Sequence, residues 1–221
     1  MTVARFHREQ NSITFDDGGM NLLSSDALRE LRDVIDEWRC QASAPVLHFK
    51  MTRAAGADMA EMARFTPLDA YEFARLGQET FAAIERMPCL TIATIDGDCF
   101  GGALDLILSF DLRFASARSR FSHPGAKLGI VTGFGGTSRW RRVIDATAAR
   151  RLFIANETLD AEEARAIGLI DGIGEPQIPA LDPATLRMVK ELTIHRDRLT
   201  QRELLTLAER LGALYNASTQ S

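Results

Sequence analysis

Residues 91–116 read TIATIDGDCFGGALDLILSFDLRFAS, and this stretch decides the fold class. The β-branched run 91–95 has the length and composition of a strand. A glycine-rich turn, DGDCFGG, comes next, then ALDLILS (103–109) at helical spacing, then LRFAS (112–116) as a second strand. Strand, glycine turn, short helix and strand in that order predict a layered α/β domain.

The pattern continues outward on both sides. Pro88 closes a helix predicted over 67–87, which carries Phe73, Leu76, Ile84 and Met87 at helical spacing; its ring removes a donor and disfavours helix in the residue before it. Further upstream, 46–51 (VLHFKM) reads as a strand after Pro45, and Ser24 and Ser25 are cap candidates for a helix with Leu28, Leu31, Ile35 and Trp38 on one face. Downstream, Asp160 at a cap, Glu163 three residues on and Gly168 as the stop mark a short helix, with a last strand at 170–173. Beyond Asp182 the chain is polar, helical in pattern and basic, with Arg187, Lys190, Arg196, Arg198 and Arg202.

Composition narrows the function classes. The chain has 221 residues, 46% hydrophobic and 25% charged, with a net charge of −4, which excludes a disordered tail or a collagen-like rod. A mildly acidic surface is not built to coat nucleic acid or an anionic membrane. Cys40, Cys89 and Cys99 form no CxxC pair, so neither a disulfide framework nor a metal site is expected. The N-terminal residues MTVARFHREQ lack the apolar core of a signal peptide, and no long uncharged apolar window occurs. These features predict a soluble cytoplasmic protein.

Neither glycine cluster, GDCFGG (97–102) nor GFGGTS (133–138), fits G-x-G-x-x-G, and no P-loop or G-x-S-x-G elbow is present. The glycines instead suit a backbone role. Gly101 and Gly102 stand where strand turns into helix, so their amides face outward at the positive end of a dipole. TRAAGADMAEM (52–62) has the same character. Two such amides converging on one oxygen make an oxyanion hole; read alone, both segments are also ordinary tight turns.

Four blocks then carry a resemblance: AAGAD (54–58), IDGDCFGGALDLILSFDLRFAS (95–116), FSHPGAKLGIVTGFGGTSR (121–139) and LDAEEARAIGLIDGI (159–173). In this order they resemble the crotonase superfamily, that of the enoyl-CoA hydratases and isomerases. The resemblance implies a spiral of ββα units over residues 1–180, with 181–221 as a C-terminal helical trimerisation region of the same domain, shorter than usual after Tyr215. It implies a homotrimer or hexamer, and an acyl-CoA or acyl-carrier thioester as substrate. No cofactor is implied beyond the coenzyme A that the substrate carries.

The resemblance also assigns residues. The two amides that hold a thioester enolate fall on Ala57 and Gly102. The first hydratase glutamate falls on Asp105, one methylene shorter, and the second falls on Gly125, where no carboxylate exists. Asp105 is read two ways, as a catalytic carboxylate or as a charge in the first turn of its helix. His123, two residues before Gly125, is a substitute base or a structural histidine; strand alternation would put 123 and 125 on one side. Ala55, Gly56, Asp58, Phe100, Gly101, Gly125 and Phe134 are the expected substrate-binding residues. Asp58 is read as a structural hydrogen-bonding residue near the CoA entrance, and Phe100, Phe134 and Met62 as acyl-pocket walls or core. Cys99 lines the acyl pocket or fills core, and RWRR (139–142) with Arg150 and Arg151 binds CoA phosphate or forms a solvated face.

Three functions stay open on this reading: a hydratase/isomerase-type enzyme working through an enolate, an acyl-CoA decarboxylase of the same fold, and a thioester-binding or partner subunit without chemistry.

Overall fold

A computed structural model of the chain describes residues 5–41, 46–178 and 182–194. It divides into two compact units, Met1–Pro179 and Ala180–Ser221.

The first unit runs β1 (Phe6–Glu9), β2 (Ser12–Phe15), β3 (Leu22–Leu23), α1 (Ser25–Gln41), β4 (Val46–Met51), β5 (Gly56–Ala57), α2 (Met59–Met62), α3 (Pro67–Glu85) and β6 (Leu90–Ile95). It continues with β7 (Asp98–Phe100), α4 (Gly102–Ile107), β8 (Leu112–Ala115), β9 (Arg120–Ser122), α5 (Gly136–Arg139), α6 (Ala146–Phe153), β10 (Leu159–Asp160), α7 (Ala161–Ala166) and β11 (Gly172–Ile173). Two 3-10 turns, Pro124–Leu128 and Trp140–Arg142, join these elements. In the second unit the described element is α8 (Pro183–Ile194). The basic residues Arg196, Arg198 and Arg202, Tyr215 and most of the expected trimerisation region lie outside the described residues.

Local signals explain the helices. Ser24 Oγ accepts from Ala27 N at 3.1 Å and opens α1. Thr66 and Asp69 close a capping box at the start of α3, with Pro67 in its first turn. Asp160 and Glu163 form a second box on α7, and Gly168 follows at φ +77°. Two boundaries fall short of the sequence reading. The α3 helix stops at Glu85 because Met87 N turns back to Ile84 O in a tight i+3 bond. Residues 169 and 170 stay out of the ladder because both amides bond Ala164 O, so β11 is only Gly172–Ile173.

The main sheet has the order β1-β2-β4-β6-β8-β11, antiparallel only at β1/β2. Alternation sorts β4 cleanly: Leu47, Phe49 and Met51 are buried in the core while His48 and Lys50 take the other face. Leu28, Leu31, Ile35 and Trp38 of α1 belong to the same core cluster. Each such side chain contributes about 1.5–3 kcal/mol by leaving water.

Two small sheets build the site. One is β10-β9-β7 and the other β3-β5. An isolated parallel bridge between Ala54 and Cys99 fastens the loop before β5 to β7. Ala54 N donates to Asp98 O at 2.8 Å and Phe100 N to Ala54 O at 3.0 Å. Segments more than forty positions apart are thereby held side by side.

Candidate active site

The AAGAD loop and the FGG turn meet where a cavity of about 300 Å³ opens. Ala55, Ala57, Gly101, Gly102, His123 and Gly125 line one part of it. Met59, Met62, Phe65, Phe73, Ile130 and Phe134 supply apolar wall.

Two glycines permit the close approach. Gly56 has φ +91°, and a Cβ there would lie 2.7 Å from both Gly102 N and Phe100 O. Gly101 has φ +55° and caps α4 with no side-chain hydrogen bond. Leu104 N and Asp105 N both return to Gly101 O, at 2.9 and 3.4 Å. The Gly102 amide, at the first helical position, has no acceptor within its own helix. Its backbone neighbour across the cavity wall is Ala57: a Cβ built on Gly102 would sit 3.3 Å from Ala57 N.

Asp105 is 0% exposed and does not line the cavity. Its carboxylate takes no backbone amide, so its place in the first turn of α4 does not make it a cap. The Thr132 hydroxyl donates to Oδ2 instead, and Oδ1 lies 3.5 Å from His123 Nε2. Neither Oδ1 nor Nε2 has a hydrogen-bond partner, although both are buried. Gly136 provides the room, since a Cβ there would come within 2.5 Å of Asp105 Cγ.

His123 is 5% exposed, lines the cavity and packs its ring against Phe153 at 4.8 Å between centroids. It is not a strand residue, because β9 ends at Ser122. The 3-10 turn, opened by Pro124, brings His123 and Gly125 together instead. A Cβ on Gly125 would lie 3.3 Å from His123 Nδ1 and 2.9 Å from Ile130 O.

The remaining expectations divide. Phe134 is buried, lines the cavity and meets Phe73 and Phe81 edge-on at 5.0 and 5.6 Å. Met62 lines it too. Asp58 does not; it caps α2, accepting from Ala60 N and Glu61 N at 2.9 and 3.1 Å. Phe100 lies in β7 outside the cavity wall. Cys99 is fully buried core, and burial, reinforced by Asp105 and Asp98, pushes its thiol well above the usual range. Cys89 is likewise buried.

The RWRR segment divides: Arg139 and Arg142 are engaged within the chain, while Arg141 is exposed over the Trp140 ring and Arg150 is exposed on α6. Arg139 is buried, donates to Phe134 O at 2.6 Å and pairs with Glu85 at 3.3 Å; Arg142 pairs with the same carboxylate at 2.9 Å. Arg151 pairs with Glu157 at 2.7 Å. Sequence reasoning missed Thr132 and Glu85, since a lone threonine or a helix-end glutamate carries no motif. Among the described residues no helix is long and apolar enough to cross a membrane, and no three His, Cys, Asp or Glu residues gather as metal ligands.

Comparison with known proteins adds to this geometry. Residues 9–197 match the model of the family described as enoyl-CoA hydratase/isomerase. The chain is 35% identical over 163 residues to the short-chain-enoyl-CoA hydratase of Clostridium acetobutylicum, covering 71% of this chain and 62% of that protein. It is 33% identical to the crotonyl-CoA hydratase of Syntrophomonas wolfei, covering 72% and 62%. The chain thus spans under two thirds of the length of these relatives. Among solved structures, DspI of Pseudomonas aeruginosa is similar with a TM-score of 0.85 at 26% identity, over 96% of this chain and 95% of that one.

Proposed function

Since the chain belongs to the enoyl-CoA hydratase/isomerase family and has its crotonase fold, we propose that it acts on an acyl-CoA thioester, or its acyl-carrier equivalent, through an enolate. The backbone amides of Ala57 and Gly102 hold the thioester oxygen. The observation that carries this is the approach of those two backbones at the cavity wall, with a Gly102 Cβ placed only 3.3 Å from Ala57 N. Donors aimed at a developing oxyanion stabilise it most where water is excluded, and one such donor is worth roughly 10²–10³ in rate. The apolar walls seat the acyl group. Assembly as a homotrimer or hexamer belongs to the same reading.

A second reading within the fold is decarboxylation of a malonyl-type thioester. It is favoured by the cavity lining, which among the described residues contains no Asp or Glu. A substrate carboxylate meets no like charge there, and its loss as CO₂ leaves the enolate directly in the hole.

The test is turnover of the purified protein on crotonyl-, 3-hydroxybutyryl- and malonyl-CoA beside Gly102→Pro. Proline is accepted at a first helical position and deletes the amide proton. Gly102→Ala, which adds the same Cβ 2.9 Å from Phe134 Cε2 but keeps that proton, is the steric control and should retain turnover that proline loses. Loss of turnover at least 100-fold supports the oxyanion role, and unchanged turnover overturns it. Thioester binding with no turnover on any of the three would point to a binding subunit.

A further inference from the structure

We infer that His123 is the proton-transfer group of the cavity and that Asp105, held by Thr132, is its positioning residue. This rests on the thioester reading above and assigns the base that Gly125 does not supply.

Two buried polar atoms without partners face each other: Asp105 Oδ1 and His123 Nε2, 3.5 Å apart. Neither has a hydrogen-bond partner among the described residues, and buried polar groups in folded proteins are paired. Catalytic hydrogen bonds are commonly long before substrate closes the site. The Thr132 hydroxyl occupies Oδ2, which turns Oδ1 toward the imidazole. Gly136 leaves the space in which the carboxylate stands. A carboxylate at Nε2 keeps the proton on that nitrogen and leaves the lone pair on Nδ1. Nδ1 is the nitrogen on the Gly125 side, 3.3 Å from where a Cβ would start. His123 thus stands in the space a side chain at 125 would take. Asp105 itself is fully buried and off the cavity wall, so it reaches substrate only through His123.

The step is a proton transfer. His123 Nδ1 takes the proton from the thioester Cα. The C–H pair becomes the Cα=C1 bond, and the carbonyl π pair moves onto the oxygen between Ala57 and Gly102. The imidazolium, with its Nε2 proton facing Asp105, then returns a proton to carbon.

Exchange of the Cα hydrogens of butyryl-CoA in D₂O, followed by mass spectrometry, tests this without knowledge of the natural acyl group. Wild type should incorporate deuterium above buffer. His123→Ala should fall at least 100-fold and regain at least tenfold with added imidazole, which restores a base but repairs no packing. Asp105→Asn and Thr132→Val should lower the exchange rate while butyryl-CoA binding stays within twofold. Exchange in His123→Ala at the wild-type rate would overturn the inference, as would binding without exchange in wild type. Failure of wild type to bind butyryl-CoA, crotonyl-CoA or malonyl-CoA at all would instead overturn the thioester reading on which it stands.

Discussion

The imidazole of His123 fills the space into which a side chain at residue 125 would grow: a Cβ on Gly125 would meet His123 Cε1 at 3.2 Å and Nδ1 at 3.3 Å. The missing side chain at 125 and the buried histidine are one arrangement, so a carboxylate introduced at 125 would compete with the imidazole for the same space.

Gly125→Glu should destabilise the fold by about 1–3 kcal/mol, the usual cost of overpacking, because Ile130 O at 2.9 Å is backbone and cannot turn aside. It should also fail to raise crotonyl-CoA hydration. Thermal unfolding and a hydration assay read both effects, and a stable variant with increased hydration would contradict the steric account.

Gly136→Ala should displace Asp105, because the added methyl would stand 2.5 Å from its Cγ. A cost of about 2–3 kcal/mol is expected, together with loss of proton exchange while thioester binding is retained. Urea unfolding and the D₂O assay provide the measurements.

Glu85→Ala should cost about 2–3 kcal/mol by leaving the Arg139 guanidinium buried with one ion-pair partner gone. If Arg139 served CoA phosphate instead, the same change would free it and tighten CoA binding. Calorimetric binding of CoA to the variant separates these outcomes, and unchanged affinity is expected.

His48 gives a pH dependence remote from the cavity. Partial burial first, and Lys50 second, hold its imidazole below the usual value against the opposing pull of Glu175. The folded state therefore binds this proton less readily than the unfolded chain does. The neutral form carries no penalty above about pH 6.5, the ordinary histidine value, and stability falls as pH drops below it. The urea midpoint should decline from pH 7 to pH 5.5, and His48→Gln should flatten that decline.

The elements were legible where the signal is local. The strand over 46–51 needs only period-two alternation, and the boxes at Thr66–Asp69 and Asp160–Glu163 need four residues each. The site was legible in part. Ala57, Gly102 and His123 all reach the cavity, but Asp58 and Phe100 do not. Asp58 is spent on the α2 amides, the structural hydrogen-bonding role expected of it, which keeps it off the cavity wall.

By itself the sequence determined the α/β alternation, the glycines at 56, 101 and 102, and the lack of a carboxylate at 125. Each of these is a residue identity or a short-range pattern, fixed by sterics and hydrogen bonding within a few positions. Only the tertiary structure decided that residues 54–57 lie against 98–102, through the Ala54–Cys99 bridge. It alone turned Asp105 away from its own helix terminus toward Thr132 and His123, and it alone buried Arg139 against Glu85. These pairings join positions 18 to 54 residues apart. What selects them is the requirement that each buried charge and amide find a partner in a close-packed interior, a condition met only after the whole chain has folded.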